Sequence, residues 1–276
     1  MFFIVALTVF LLMHGYVGWR LIPSFNLTPF YFYLAFTIIF ILGFTPLIPI
    51  LLRINGYESK IIDKISLIGY TSLGFFTLSF VILLAKDFLL QTISLFNSFF
   101  NIDQTVDESK RAFIKKSVSI GIIGLTGSAT AYGFYNARKG PKIIKQNIFL
   151  KNLPSEFENF TIAQISDLHV GPTIKKPYVE NVLSQISHLN PDMIAITGDL
   201  VDGSVENLKT ELEPLKEMIA KNGTYFVTGN HEYYSGVDRW LQETDRLGMI
   251  NLVNTNKIIR KEKKEICIAG ITDFRA

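Results

Sequence analysis

Long apolar runs dominate the first half of the chain, and short alternating ones dominate the second. Four stretches, at about 1–22, 30–52, 65–85 and 117–135, reach or approach the roughly 20 residues a helix needs to cross a bilayer. The second is the most apolar, with no charged residue from Phe30 to Leu52. Its Pro46 and Pro49 predict a kink of the kind that helix bundles in lipid tolerate. The run 88–100 is too short for a further crossing and predicts an interfacial helix or an extension of the third span. The first stretch begins at Met1 without basic residues ahead of it, which does not fit a cleavable signal peptide.

Beyond Tyr135 the pattern shortens. The basic segment Ala137-Arg138-Lys139-Gly140-Pro141-Lys142 suits a position facing lipid headgroups. Strands are expected at Ile143–Leu150, Phe160–Ile165, Asp192–Thr197, Thr224–Val227, Ile250–Val253 and Ile266–Ile271. Helical spacing is read at Pro177–Leu189, Leu208–Lys221 and Val237–Leu247, with Pro214 expected to kink the second helix or mark its true start. This alternation of strand and helix predicts an α/β layered domain with at least partly parallel strands.

Composition sharpens the division. Of the charged side chains, 15 fall in residues 1–135 and 36 in 136–276, so the first half is membrane-like and the second globular. The whole chain of 276 residues is 49% hydrophobic, with a mean hydropathy of +0.30. A net charge of +3 without a basic, aromatic-interleaved stripe gives no footprint for nucleic acid. The single cysteine, Cys267, lies in an apolar run and is expected to be a buried strand residue.

Three fragments carry the chemistry: Asp167-Leu168-His169, Gly198-Asp199-Leu200-Val201-Asp202 and Gly229-Asn230-His231-Glu232. Each follows the end of an expected strand, where open α/β sheets gather ligands in the crevice at their carboxyl edge. Asp167 and His169 are one residue apart, so in extended backbone both would face one cation. A carboxylate with an imidazole suits Mn, Fe or Zn. Asp199 offers two oxygens, enough to bridge two ions, and Asn230 supplies a neutral amide oxygen. Two ions about 3.5–4 Å apart clamp a phosphate and make water nucleophilic near neutral pH. His231 is placed to meet a leaving-group oxygen as general acid or to stabilise its charge, and Asp202 could fix its tautomer by accepting its other N–H. Gly198 and Gly229 allow tight turns and close approach.

In this order and spacing, the three fragments resemble the calcineurin-like metallophosphoesterases, over residues 160–276, and the spans ahead of them are similar to those of bacterial membrane-associated members. The resemblance implies a two-sheet sandwich flanked by helices, preceded by a membrane region at 1–136 and a linker with a first strand at 137–159. It implies two divalent ions, one held by Asp167, His169 and Asp199, the other by Asp199 and Asn230, with Asp202 and His231 as the pair beside the leaving group. Glu232 stands where members carry Asp or Glu, and a supporting role behind the ligands is implied. Members complete both sites with a lone downstream histidine and a Gly-His-x-His segment, and nothing of the kind follows His231. His14 is read as a bundle or interface residue and His188 as a helix-surface residue. A missing C-terminal portion on the order of 100 residues is therefore expected, with weak metal binding and little hydrolysis by these residues alone.

The implied activity is hydrolysis of a phosphoester or pyrophosphate bond in a small phosphorylated or lipid-linked substrate, at a bilayer and without nucleic acid. The alternative is a non-catalytic membrane protein whose degenerate phosphoesterase-like domain binds without turning over. A transporter fits less well, because the spans hold almost no ionisable residues. Positive charges do not orient the chain, with six on one side and seven on the other in a four-span arrangement. Ser109-Lys110-Arg111-Ala112-Phe113-Ile114-Lys115 reads either as an ordinary positive membrane flank or, by resemblance, as a twin-arginine export signal with lysine for its first arginine; the second reading favours a catalytic domain on the outer face.

Overall fold

The computed structural model describes residues 2–100 and 107–274. The chain divides into two compact units, Met1–Ala137 and Arg138–Ala276.

Among its described residues the first unit holds helices and no strand: α1 (Phe2–Leu21), α2 (Pro29–Phe44), α3 (Leu47–Ile54), α4 (Lys60–Phe99) and α5 (Glu108–Arg138). The kink expected within 30–52 is a break between α2 and α3 at Thr45-Pro46, because Pro46 has no N–H to continue the ladder. Pro49 sits in the first turn of α3, where no donor is needed. A Cβ on Gly69 of α4 would lie 2.6 Å from the Thr45 carbonyl oxygen, so α4 packs backbone-to-backbone against that break. Met13, Val17 and Leu21 of α1 meet Phe76 and Leu83 of α4 and Ile122 of α5 in the core of this unit. His14 is buried in the bundle, as its position implied.

Among the described residues, three segments are long and apolar enough to cross a membrane: Ile4–Phe25, Pro29–Ile54 and Lys60–Phe99. Helix α4 has 40 residues, about 60 Å at 1.5 Å per residue and roughly twice the hydrocarbon thickness. The run 88–100 thus extends the third span, beyond the charged pair Lys86-Asp87. Helix α5 covers the fourth stretch as one 31-residue helix, but its glycines, serines and threonines leave it less apolar than the other three.

The second unit is an α/β domain. Strands β1 (Ile162–Ile165), β2 (Met193–Thr197), β3 (Thr224–Val227) and β4 (Ile250–Asn251) form a parallel sheet in the order β1-β2-β3-β4. The connections carry α6 (Lys176–Leu189), α7 (Val205–Leu212), α8 (Asn230–Ser235) and α9 (Val237–Arg246). An antiparallel hairpin, β5 (Thr255–Lys261) and β6 (Lys264–Gly270), follows. Side chains alternate across the sheet. Ile194, Ile196 and Phe226 pack with Val179, Val182, Leu208, Leu212 and Trp240 of the helices. Met193, Ala195, Tyr225 and Val227 face the other way, against Phe157 and the hairpin residues Ile259, Ile266 and Ile268. The sheet thus has helices on one face and a second, two-stranded layer on the other. Each large apolar side chain buried there contributes about 1.5–3 kcal/mol.

Three expectations are corrected, and two elements are added. Ile143–Leu150 is not a strand; it has no regular structure and no strand beside it, and Ile144 and Phe149 are almost fully exposed. The helix read over Leu208–Lys221 starts earlier and stops at Leu212, where Pro214 converts the chain to a 3-10 turn, Glu213–Glu217. Cys267 is exposed, because it alternates with Ile266 and Ile268, which take the inward face of β6. Strand β5 and the short helix α8 were not anticipated.

Candidate metal centre

All three fragments lie at the carboxyl ends of β1, β2 and β3, and the register β1–β2–β3 brings them side by side. The loops after β1 and β2 are laced by their backbones. Asp167 N–H donates to the Gly198 carbonyl at 3.3 Å, His169 N–H to that of Asp199 at 2.9 Å, and Val170 N–H to that of Leu200 at 2.9 Å. Asp202 N–H donates back to the Val170 carbonyl at 2.8 Å. The second and third fragments are tied by side chains. Glu232 is fully buried, and its carboxylate accepts from Gly229 N–H (2.7 Å), Asp199 N–H (3.0 Å) and Leu200 N–H (2.8 Å). Burial pushes the Glu232 carboxyl above its ordinary value, although the three N–H groups favour its charged form.

Asp167 and His169 are not in extended backbone, which corrects the alternation argument. Both are left-handed, with φ of 57° and 47°, and Asp199 shares that conformation at 51°. Such residues cost about 1–3 kcal/mol each and persist only where surrounding contacts determine them. Here the backbone lacing supplies those contacts. The imidazole still arrives beside the carboxylates: His169 Nε2 is 3.8 Å from Asp167 Oδ1 and 3.9 Å from Asp199 Oδ2. Asp199 divides its two oxygens, since Oδ1 accepts His231 N–H at 2.9 Å and Oδ2 faces His169.

Asp202 does more than sequence reasoning assigned to it. Its Oδ1 lies 2.5 Å from His231 Nδ1 and 2.9 Å from His169 Nδ1, so one carboxylate orients both rings. The rings stand edge to face with centroids 4.5 Å apart. Partial burial opposes protonation of His169, but the bond to Asp202 and the charges of Asp202, Asp199 and Asp167 outweigh it and raise its pKa. Donor atoms of His169, Asp199 and His231 lie within 4.8 Å of one another, a set whose chemistry fits a divalent transition ion. Asn230 is the first residue of α8, adjacent to His231. His188 is exposed on α6, away from these groups in the fold. The threefold hold of Glu232 was missed; a glutamate three residues after a glycine N-cap is the pattern that could have shown it.

A sheet with these motifs at its carboxyl edge, and this cluster of carboxylates and imidazoles, defines a metal-dependent phosphoesterase fold. Residues 160–271 match the calcineurin-like phosphoesterase family, and the second half of the chain carries a calcineurin-like metallophosphoesterase domain. The chain is 32% identical over 216 residues to a transmembrane protein with metallophosphoesterase domain of Danio rerio, covering 77% of this chain and 48% of that protein. It is 26% identical over 275 residues to an uncharacterized metallophosphoesterase of Campylobacter jejuni, covering 99% of this chain and 69% of the relative. A UDP-2,3-diacylglucosamine pyrophosphatase of Chlamydia trachomatis is 31% identical over 118 residues, 41% of this chain and 34% of the relative. Animal and bacterial proteins both appear, so the bacterial type expected from the sequence does not stand as a restriction. The chain spans about half or less of the first three curated relatives, 48%, 30% and 40%. No solved structure matches.

Proposed function

We propose that this chain carries the catalytic groups of a membrane-anchored, metal-dependent hydrolase of phosphoester or pyrophosphate bonds. The observation that carries the proposal is the convergence of His169, Asp199 and His231 to within 4.8 Å, with Asp202 behind both rings. Asp167, His169 and Asp199 would hold one divalent ion of the Mn, Fe or Zn class, and Asp199 with Asn230 a second. Such ions, when bound, polarise phosphoryl oxygens and lower the pKa of water towards neutrality.

The chain's own groups divide the remaining work. Asp202 keeps Nδ1–H of His169 in place, which leaves Nε2 bare to act as a ligand. For His231 the same contact orients the ring, and its Nε2 is the atom we propose gives a proton to the leaving-group oxygen. Glu232 holds the backbone of Asp199 against α8 and so keeps the Asp199 carboxylate, which would serve both ions, in register. The substrate we propose is phosphorylated, small or lipid-linked; the apolar helices favour one met at a bilayer, and the pyrophosphatase relative supports the lipid-linked class. We further propose a multi-pass anchor, with α5 as a fourth crossing, and the catalytic domain on the outer face.

The 276-residue protein in detergent with Mn²⁺ and bis-p-nitrophenyl phosphate tests this. Slow turnover that is abolished by chelator and by Asp199→Asn is the expected result. Metal binding with no turnover above the Asp199→Asn background would favour the non-catalytic binding domain instead.

A further inference from the structure

Helix α8 presents two consecutive tyrosines in opposite ways. Tyr233 is half-buried, with its hydroxyl 3.2 Å from Thr228 Oγ1. Tyr234 is 70% exposed, and its hydroxyl has no partner among the described residues. It lies three residues after His231, on the same side of the helix turn. Its ring stands 5.7 Å from the imidazole, tilted by 61°. The backbone beneath it is fixed, because Glu232, between the two, is held by three N–H groups. An aromatic ring in solvent is therefore held at one edge of the site, against the imidazole assigned to the leaving group.

We propose that Tyr234 is a specificity-determining residue that stacks on a flat ring carried directly on the leaving oxygen. The reasoning rests on the hydrolase reading of His231 given above. The leaving oxygen assigned to the His231 side of the site would lie against that imidazole, and Tyr234 packs on the same ring, so the first group attached to that oxygen would come within van der Waals reach of the tyrosine. An aryl ring offers a π-face, and a sugar ring offers a face of C–H groups; both gain from stacking, whereas a flexible alkyl chain gains little. No charged side chain is needed for this preference, which would act in binding as well as in turnover.

The test is binding of benzylphosphonate and n-butylphosphonate, in each of which a CH₂ stands in place of the leaving oxygen so that neither is hydrolysed, to the Mn²⁺-loaded 276-residue protein by titration calorimetry. Wild type should bind the benzyl compound more tightly. Tyr234→Ala should weaken benzylphosphonate binding by about 5- to 10-fold and leave butylphosphonate within about twofold, while Tyr234→Phe should keep the wild-type preference. An unchanged preference in Tyr234→Ala, or an equal loss for both compounds, overturns the assignment while leaving the metal site intact. Phosphonate binding that does not depend on Mn²⁺ in wild type would instead remove the hydrolase reading, and this proposal with it.

Discussion

Asp202 and Glu232 show how much of this site depends on residues that are not themselves assigned as ligands. Asp202 raises the pKa of His169, and a raised imidazole pKa means that protons compete with metal up to a higher pH. Metal affinity in wild type should therefore fall as pH drops through the raised His169 pKa. In Asp202→Asn the hydrogen bond and the negative charge weaken, so the fall should begin at a lower pH. The sign for the metal-free protein is the reverse: the His169–Asp202 interaction stabilises below the ordinary histidine pKa and is lost as pH rises through the raised one. Calorimetric Mn²⁺ titrations between pH 5 and 8 check the first statement; an unshifted profile in the variant would contradict it. Glu232→Gln places an amide NH₂ among three backbone donors. We expect a loss of about 1–3 kcal/mol in stability and at least a tenfold weaker metal affinity, measured by thermal unfolding and titration. The residue types at this scale were legible from spacing, because the chemistry demands them. The left-handed backbones of Asp167, His169 and Asp199 were not, since only contacts between loops hold them there.

Among elements, the turns after β2 and β3 pack backbone against backbone. A Cβ on Gly229 would lie 2.2 Å from Asp199 Oδ1 and 2.5 Å from Asp199 N, and one on Gly198 would lie 2.4 Å from Gly229 N. Gly198 also has φ of +81°, a conformation that glycine adopts without strain. Gly229→Ala should push the Asp199 carboxylate aside, with about 1–3 kcal/mol lost in stability and metal affinity reduced at least tenfold. Near-normal Mn²⁺ binding by this variant would show that the close approach is not required. Strand ends were read correctly where a buried strand ran into a glycine, as at Thr197-Gly198. They were misread where the deciding fact was a neighbour. Ile143–Leu150 has the composition of a strand but no strand paired with it among the described residues, and a strand exists only through its ladder. Cys267 was assigned to a core from its apolar surroundings, yet the pleat gives the inward face to Ile266 and Ile268.

For the whole molecule, the single exposed thiol gives a direct readout of the proposed topology. Cys267 is the only cysteine, lies on β6 of the phosphoesterase domain and faces solvent. A membrane-impermeant maleimide should label it in intact cells if the domain is on the outer face; labelling only after permeabilisation would place it inside. The division into an apolar helical unit and an α/β unit follows from sequence alone, because transfer of long uncharged runs into lipid and the alternation of strand and helix are properties of local composition. So do the types of the candidate metal-ligand residues, whose order and spacing are linear facts. Their assembly is not linear. One carboxylate serving both His169 and His231, and one glutamate tying the Asp199 turn to α8, arise because parallel register sets three distant loops side by side. Backbone hydrogen bonds between those loops then sustain conformations that no residue in them would hold alone.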